Sequence, residues 1–128
     1  MKILDSDHCV ALLRSKLNLR DYVAPGEEIA VTAISVAELT HGAHRSQRSA
    51  ENLARVDVLL ATFAILPFDE VSARVFGSLK AQLEIAGQPL YDLDLQIASI
   101  ALAQNLSLVT HNQRHFNRVP GLHLEDWL

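Results

Sequence analysis

Lys2-Ile3-Leu4-Asp5-Ser6-Asp7-His8-Cys9-Val10 opens as a short β-prone run, turns acidic, and passes into a loose helical pattern carried by Val10, Leu12, Leu13 and Leu17. Read as strand, acidic turn and a helix over residues 8–17, it begins a unit that the rest of the chain repeats. Ala24-Pro25-Gly26 breaks the chain. Ile29-Ala30-Val31-Thr32 then reads as a buried strand, and Ser35 as the N-cap of a helix through Val36, Leu39 and Thr40 up to Gly42. Residues 49–63 place Leu53, Val56, Leu59, Leu60 and Phe63 on one helical stripe, and residues 64–67 form a short strand closed by Pro67. The four-residue spacing of Val71, Val75, Leu79 and Leu83 predicts a helix over 69–86, stopped by Gly87 with Pro89 beyond it. A loop over 88–93 leads to residues 94–104, apolar on nearly every side, as in a helix packed between other elements. Residues 107–110 follow as a strand, 111–116 as a polar turn or short helix, and Leu122-His123-Leu124 as a last strand, with Trp127 covering the core. Strands alternating with helices about four times imply parallel strands joined by crossover helices. The expected class is α/β, three layers in α/β/α order around a short, mainly parallel sheet of four to five strands.

The 128 residues match a common single-domain size, and no linker, repeat or low-complexity stretch divides them, so one domain over 1–128 is expected. The chain is 49% hydrophobic and only 5% aromatic, the balance of buried strands covered by Leu/Ala-rich helices. Cys9 is alone and cannot form an internal disulfide; Lys2, Asp5 and Asp7 interrupt the first apolar stretch, so it does not read as a signal peptide. A cytoplasmic location is expected. No apolar run approaches the roughly 20 residues that cross a bilayer, so no membrane partner is expected. The net charge of −4 argues against a broad phosphate-binding surface. Basic residues nevertheless gather locally, as Arg14, Lys16 and Arg20, as His41, His44, Arg45 and Arg48, and as Arg114, His115 and Arg118. Each group is equally what a solvated helix face looks like.

In an open parallel sheet, sites form outside the carboxyl ends of the strands. Asp5 follows the first strand, Glu38 lies in the first turn of the helix after the second, Asp94 opens the helix before the fourth, and Asn112 follows the fourth. Carboxylates brought together repel and raise one another's pKa unless they share a cation, and hard oxygen donors suit Mg²⁺ or Mn²⁺. Such a cation polarises a phosphoryl oxygen and lowers the pKa of an attacking water, so no nucleophilic side chain is required. Each acid also has a plain structural explanation: an Asx turn or N-cap at Asp5, Ser6 and Asp7, the helix macrodipole at Glu38, an N-cap at Asp94. Their joint occurrence at strand ends favours the metal reading.

Four segments carry a family resemblance: Ile3-Leu4-Asp5-Ser6-Asp7, Val36-Ala37-Glu38-Leu39, the stretch from Gly87 through Pro89 and Asp94 to Ala98, and Leu108-Val109-Thr110-His111-Asn112. In order and spacing they resemble the successive signatures of PIN-domain ribonucleases. Ile65-Leu66-Pro67-Phe68-Asp69, and Phe116-Asn117-Arg118-Val119-Pro120-Gly121-Leu122 through Leu124-Glu125-Asp126-Trp127, are closer still to the VapC toxins of bacterial toxin–antitoxin pairs. The resemblance runs nearly end to end. It implies a PIN-like domain and a Mg²⁺-dependent endoribonuclease, with Mn²⁺ able to substitute, that hydrolyses RNA through a metal-activated water. It also implies a homodimer held inactive by a cognate VapB-type antitoxin whose C-terminal segment covers the acidic pocket.

Carried over by position, Asp5, Glu38 and Asp94 are the acidic residues, with Asp5 and Asp94 on the metal and Glu38 on it directly or through water. The fourth family position, often Asp, is Asn112 here; an amide can hold a metal-bound water but adds no charge, so one ion is a safer expectation than two. Asp7 and Asp92 stand near enough in sequence to supply the missing charge. Ser6 and Thr110 are placed to orient the carboxylates, and Arg114 and Arg118 to contact RNA phosphates or an antitoxin carboxylate. Two rivals are weighed. A phosphatase of the haloacid dehalogenase type shares the Asp-x-Asp after a first strand, but Lys80 is mid-helix and Asn112 lacks an acidic neighbour. A catalytically impaired PIN-fold binding module fits the lost fourth acid but not the three retained ones, which are destabilising without a cation.

Overall fold

Alternation of side chains along each strand explains why the apolar runs become the middle layer. In the computed structural model, which covers residues 1–128, β1 (Lys2–Leu4), β2 (Ile29–Thr32), β3 (Ala64–Leu66), β4 (Ser107–Val109) and β5 (Leu124–Glu125) form one sheet in the order β3-β2-β1-β4-β5. Every pairing is parallel. Ile3, Ala30 and Leu108 point to one face, Leu4, Ile29, Val31 and Val109 to the other, and all are buried. A strand covered on both faces must be apolar throughout, as these are.

The first face is covered by α4 (Glu70–Ile85) and α5 (Asp92–Gln104), which contribute Leu79, Leu83, Leu95, Ile97, Ala98, Ile100 and Ala101, with Phe116 of the short α6 (Gln113–Phe116) beside them. The second is covered by α1 (Ser6–Leu13), α2 (Ala33–Arg45) and α3 (Ser49–Leu60), through Cys9, Leu39, Ala43, Val56 and Leu60. Trp127 closes that second core, stacked on Tyr22 with ring centroids 5.0 Å apart. The result is the expected α/β/α arrangement. No helix is long and apolar enough to cross a membrane.

Element boundaries depart from the sequence reading in ways that matter for the site. Helix α1 starts at Ser6, not residue 8, because Asp5 and not Asp7 is its N-cap, and it ends at Leu13 because Ser15 takes a left-handed conformation at φ 57°. Thr32, not Ser35, caps α2: still extended at the end of β2, it accepts the Ser35 N–H at 3.1 Å, while Ser35 is buried inside the first turn. Glu38 therefore lies in the second turn, where the macrodipole no longer accounts for it. Helix α5 starts at Asp92 with Tyr91 as N-cap, so Asp94 is inside the first turn and caps nothing. The last strand is Leu124–Glu125, two residues beyond its expected start, because Leu124 pairs with Leu108. Val71 of the expected stripe is exposed, since the face of α4 that reaches the core is set by Leu79 and Leu83.

Loss of the α2 cap has a measurable consequence. Thr32→Ala is expected to lower unfolding free energy by about 1 kcal/mol in urea denaturation, the usual cost of deleting a Thr cap. Ser35→Ala should cost less, because the Ser35 backbone, not its hydroxyl, makes the capping bond.

Candidate active site

Strand order reverses across β1: the chain moves outward through β2 and β3, then returns to the other side of β1 as β4. The carboxyl ends of β1 and β4 therefore flank a crevice, as open α/β sheets require. Asp5 leaves β1 there, its N–H bonded to the Val109 carbonyl at 2.9 Å. One of its oxygens accepts the Ser6 N–H at 2.8 Å and the other the Thr110 hydroxyl at 2.8 Å. Capping α1 and facing the crevice are thus simultaneous properties of one fixed carboxylate.

Glu38 from α2 and Asp94 from α5 approach from the two helical layers. Burial raises the Asp5 pKa to about 6, with the Asp7 charge adding to it, Thr110 and Ser6 opposing, and Asp94 raising it further. Glu38 is raised first by burial and then by the charges of Asp5 and Asp94, against a hydrogen bond from Ser6. Asp94 is raised by burial, against the lowering effect of His115. The Asp94 charge thus acts on both Asp5 and Glu38, and the Asp5 charge on Glu38, which ties the buried Asp5 to its two half-buried neighbours electrostatically.

Glu38 Oε1 is buried without any hydrogen-bond partner. An acceptor stripped of water and left unpaired is costly, and a cation removes that cost. No three His, Cys, Asp or Glu side chains close to ligating distance on one point. The side chains that face the crevice, Asp5, Glu38 and Asp94, offer only oxygen donors, the type of which a hard cation takes one or two directly while keeping several waters.

The remaining candidates separate clearly. Thr110 joins the centre through Asp5 and also accepts the Asn112 N–H at 3.0 Å. The Asn112 amide nitrogen meets His115 Nδ1 at 3.0 Å, and that imidazole lies 3.7 Å from Asp94. Asp7 sits at the edge of the centre with its own partners: its oxygens take His8 Nδ1 at 2.6 Å and the His111 N–H at 2.9 Å, with the Thr110 hydroxyl at 3.4 Å. Burial opposes its charge, but these bonds outweigh it and hold its pKa low. Asp92 faces outward and pairs with Lys80 at 3.0 Å. Asp92 therefore lies outside the cluster, while Asp7 borders it through the Thr110 hydroxyl and through its charge on Asp5. Arg114 is exposed on α6, and Arg118 donates to the Pro89 carbonyl at 2.8 Å.

Sequence reasoning missed two participants, the His115 imidazole between Asn112 and Asp94 and the buried His8 behind Asp7. His8 interrupts the apolar stripe of α1, which was the available signal. Beside Glu38 a cavity of about 480 Å³ opens between α1, α2 and α3, floored by Val10, Leu39 and Val56 and rimmed by Arg14, Asn52 and Arg55. The Arg55 guanidinium is tied to the Leu13 carbonyl.

The PIN domain family profile matches residues 2–122. The chain belongs to the PIN domain family. Within it, the chain is 34% identical to Ribonuclease VapC2 of Rickettsia felis over 98% of its length and 96% of the relative's. It is 31% identical to the tRNA(fMet)-specific endonuclease VapC of Shigella flexneri over the same shares. Among solved structures it resembles VapBC2 of Rickettsia felis bound to a promoter DNA fragment, with TM-score 0.91, 31% identity and 99% and 98% of the two chains covered. DNA-bound VapBC from Salmonella typhimurium aligns over both whole chains with TM-score 0.91 and 30% identity. The phosphatase reading is set aside by this family membership.

Proposed function

We propose that the chain acts, as one PIN domain over 1–128, as a Mg²⁺-dependent endoribonuclease and as the toxin of a toxin–antitoxin pair. The carrying observation is the strand-end carboxylate centre, with the Asp5 pKa at about 6 and the Glu38 oxygen unpartnered. In this reading Asp5 and Asp94 hold Mg²⁺ directly, Mn²⁺ substitutes, and Glu38 contributes directly or through water. The cation, when bound, offsets phosphoryl charge and makes water a stronger nucleophile at neutral pH.

The chain's own residues provide orientation. Thr110 and the Ser6 N–H fix both oxygens of Asp5. His115 engages the Asn112 amide nitrogen, which leaves the Asn112 oxygen to hold a water. Arg114 and Arg118 supply guanidinium donors for the phosphates of the strand. RNA as substrate is supported by the ribonuclease names of the relatives, one of them specific for tRNA(fMet). A VapB-type antitoxin partner is supported by the solved VapBC complexes, and its C-terminal segment would cover the acidic centre. The functional unit in this reading is a cytoplasmic homodimer.

Metal removal tests the reading. Purified protein is expected to cleave single-stranded and stem-loop RNA with Mg²⁺ or Mn²⁺, to stop in chelator, and to recover when metal is restored. Glu38→Gln is expected to lower the rate about 10- to 100-fold, the usual effect of disturbing a supporting ligand. Cleavage that continues unchanged in chelator would sink the assignment.

A further inference from the structure

A second recess, of about 340 Å³, lies on the Asp94 side of the carboxylate centre and is lined by Pro89, Leu90, Tyr91, His115 and Arg118. Unlike the cavity beside Glu38, it is lined by aromatic rings, Tyr91 and His115. Tyr91 is 78% exposed, an unusual state for an aromatic ring in a chain with so few of them. Its backbone is fixed: the Tyr91 carbonyl accepts the Leu95 N–H at 3.0 Å in the first turn of α5, and Arg118 pins the preceding loop through Pro89. His115 stands edge-on to it, with centroids 6.5 Å apart and planes at 67°. An exposed phenol ring on a fixed backbone thus stands open to solvent, with an imidazole at its edge and a guanidinium on the same recess.

We propose that Tyr91 is a stacking platform for one unpaired base of the RNA strand, the base flanking the phosphate presented to Asp94, with Arg118 on the adjoining phosphate. The inference rests on the nuclease reading and narrows its substrate class to RNA whose target nucleotide is single-stranded or in a loop. Three properties carry it. A base has a π-face that an exposed aromatic ring meets without sequence preference. The backbone that carries the ring is fixed at the start of α5, so the ring is presented from one point beside the centre, and a Tyr side chain has only two χ angles to order on binding. The recess is continuous with the centre, because His115 belongs to both: it lies 3.7 Å from Asp94 and lines the recess with Tyr91. A paired base, buried in a helix stack, cannot reach the ring, so the platform discriminates against duplex.

The test uses full-length protein and two fluorescent RNAs of equal composition, a stem-loop and a perfect duplex. Binding is followed by anisotropy in an Asp94→Asn background, where cleavage is blocked, and cleavage with Mg²⁺ is followed in the native background. Tyr91→Ala is expected to weaken stem-loop binding about 5- to 100-fold and to raise KM with kcat less affected, while duplex binding stays unchanged. Tyr91→Phe keeps the ring and is expected to stay within about twofold of the parent. Thermal unfolding of both variants should match the parent, since the ring is exposed. If Tyr91→Ala cleaves and binds the stem-loop like its parent, the platform falls while the nuclease reading stands. Ring-dependent stem-loop binding without cleavage in metal would uphold the platform and sink the nuclease reading. Failure of the native protein to bind or cleave any RNA overturns both. A halved solution mass for Tyr91→Ala assigns the ring to a contact between two copies and overturns the platform.

Discussion

Asp5→Asn is expected to abolish most RNA cleavage while making the metal-free protein more stable at pH 7.5. The two effects have one cause. Asp5 binds its proton more tightly in the folded chain, with a pKa of about 6, than at the ordinary 3.8, chiefly because it is buried and secondarily because Asp7 repels it. A carboxyl raised in this way contributes stability that is complete below pH 3.8 and is lost as pH rises through about 6. Ionised at pH 7.5, it costs roughly 3 kcal/mol relative to an unperturbed aspartate.

Asparagine removes the charge and keeps an oxygen for the Ser6 N–H, while its amide nitrogen can donate to the Thr110 hydroxyl. In urea titrations with chelator, the variant should therefore be more stable than the parent at pH 7.5 by up to about 3 kcal/mol, with the advantage gone near pH 4. A divalent cation stabilises only the state that binds it, so Mg²⁺ or Mn²⁺ should raise the parent's stability and leave the variant's almost unchanged. Losing a direct ligand removes several kcal/mol of charge stabilisation, a fall in kcat/KM on the order of a thousandfold or more. A variant less stable than its parent at pH 7.5, yet equally protected by metal, would remove Asp5 from the proposed centre.

The sheet could be read in the sequence because both of its faces are buried. Ile29 to Val31 and Leu108 to Val109 must then be apolar at every position, and that run length is a local property. Caps were read less well. Thr32 and Ser35 are both good N-caps by chemistry, and the choice is made by where the backbone leaves the sheet, which depends on Thr32 pairing with Leu66 in β3. The start of β5 is likewise set by a partner strand far away in the chain. Registers of this kind have no local signature.

A similar division runs through the carboxylates. Strand-end position marked Asp5, Glu38 and Asp94, because the sheet's geometry carries such residues to one edge whatever their sequence separation. Asp7 and Asp92 had equal standing by proximity in sequence. Their orientation was decided by donors that the sequence does not announce, His8 and the His111 N–H for one and Lys80 for the other. His115 went unread for the same reason: only the turn at Asn112 brings its ring against Asp94.

His8→Ala is expected to be among the most damaging single substitutions outside the carboxylate centre, lowering unfolding free energy by about 3–5 kcal/mol. The imidazole is fully buried. Its Nε2 accepts the Trp127 N–H at 3.0 Å, so the ring proton sits on Nδ1 and is donated to Asp7 at 2.6 Å. Alanine leaves a cavity, a buried N–H without an acceptor and a carboxylate oxygen without its donor, three costs at one position. The damage should spread in two directions. The C-terminal segment loses the bond that seats Trp127 over α1, so the Trp127 amide, expected to exchange slowly in the parent, should exchange quickly. Asp7 also holds the His111 N–H, next to the Thr110 whose hydroxyl fixes Asp5, so cleavage should fall even though His8 touches no part of the crevice. His8→Gln, whose amide oxygen can stand in for Nε2, is expected to protect the Trp127 amide better than His8→Asn, whose amide nitrogen stands in only for Nδ1. If His8→Ala loses less than about 1 kcal/mol in urea denaturation and Trp127 stays protected, the seating of the C-terminus rests on the Tyr22 stack and core burial alone.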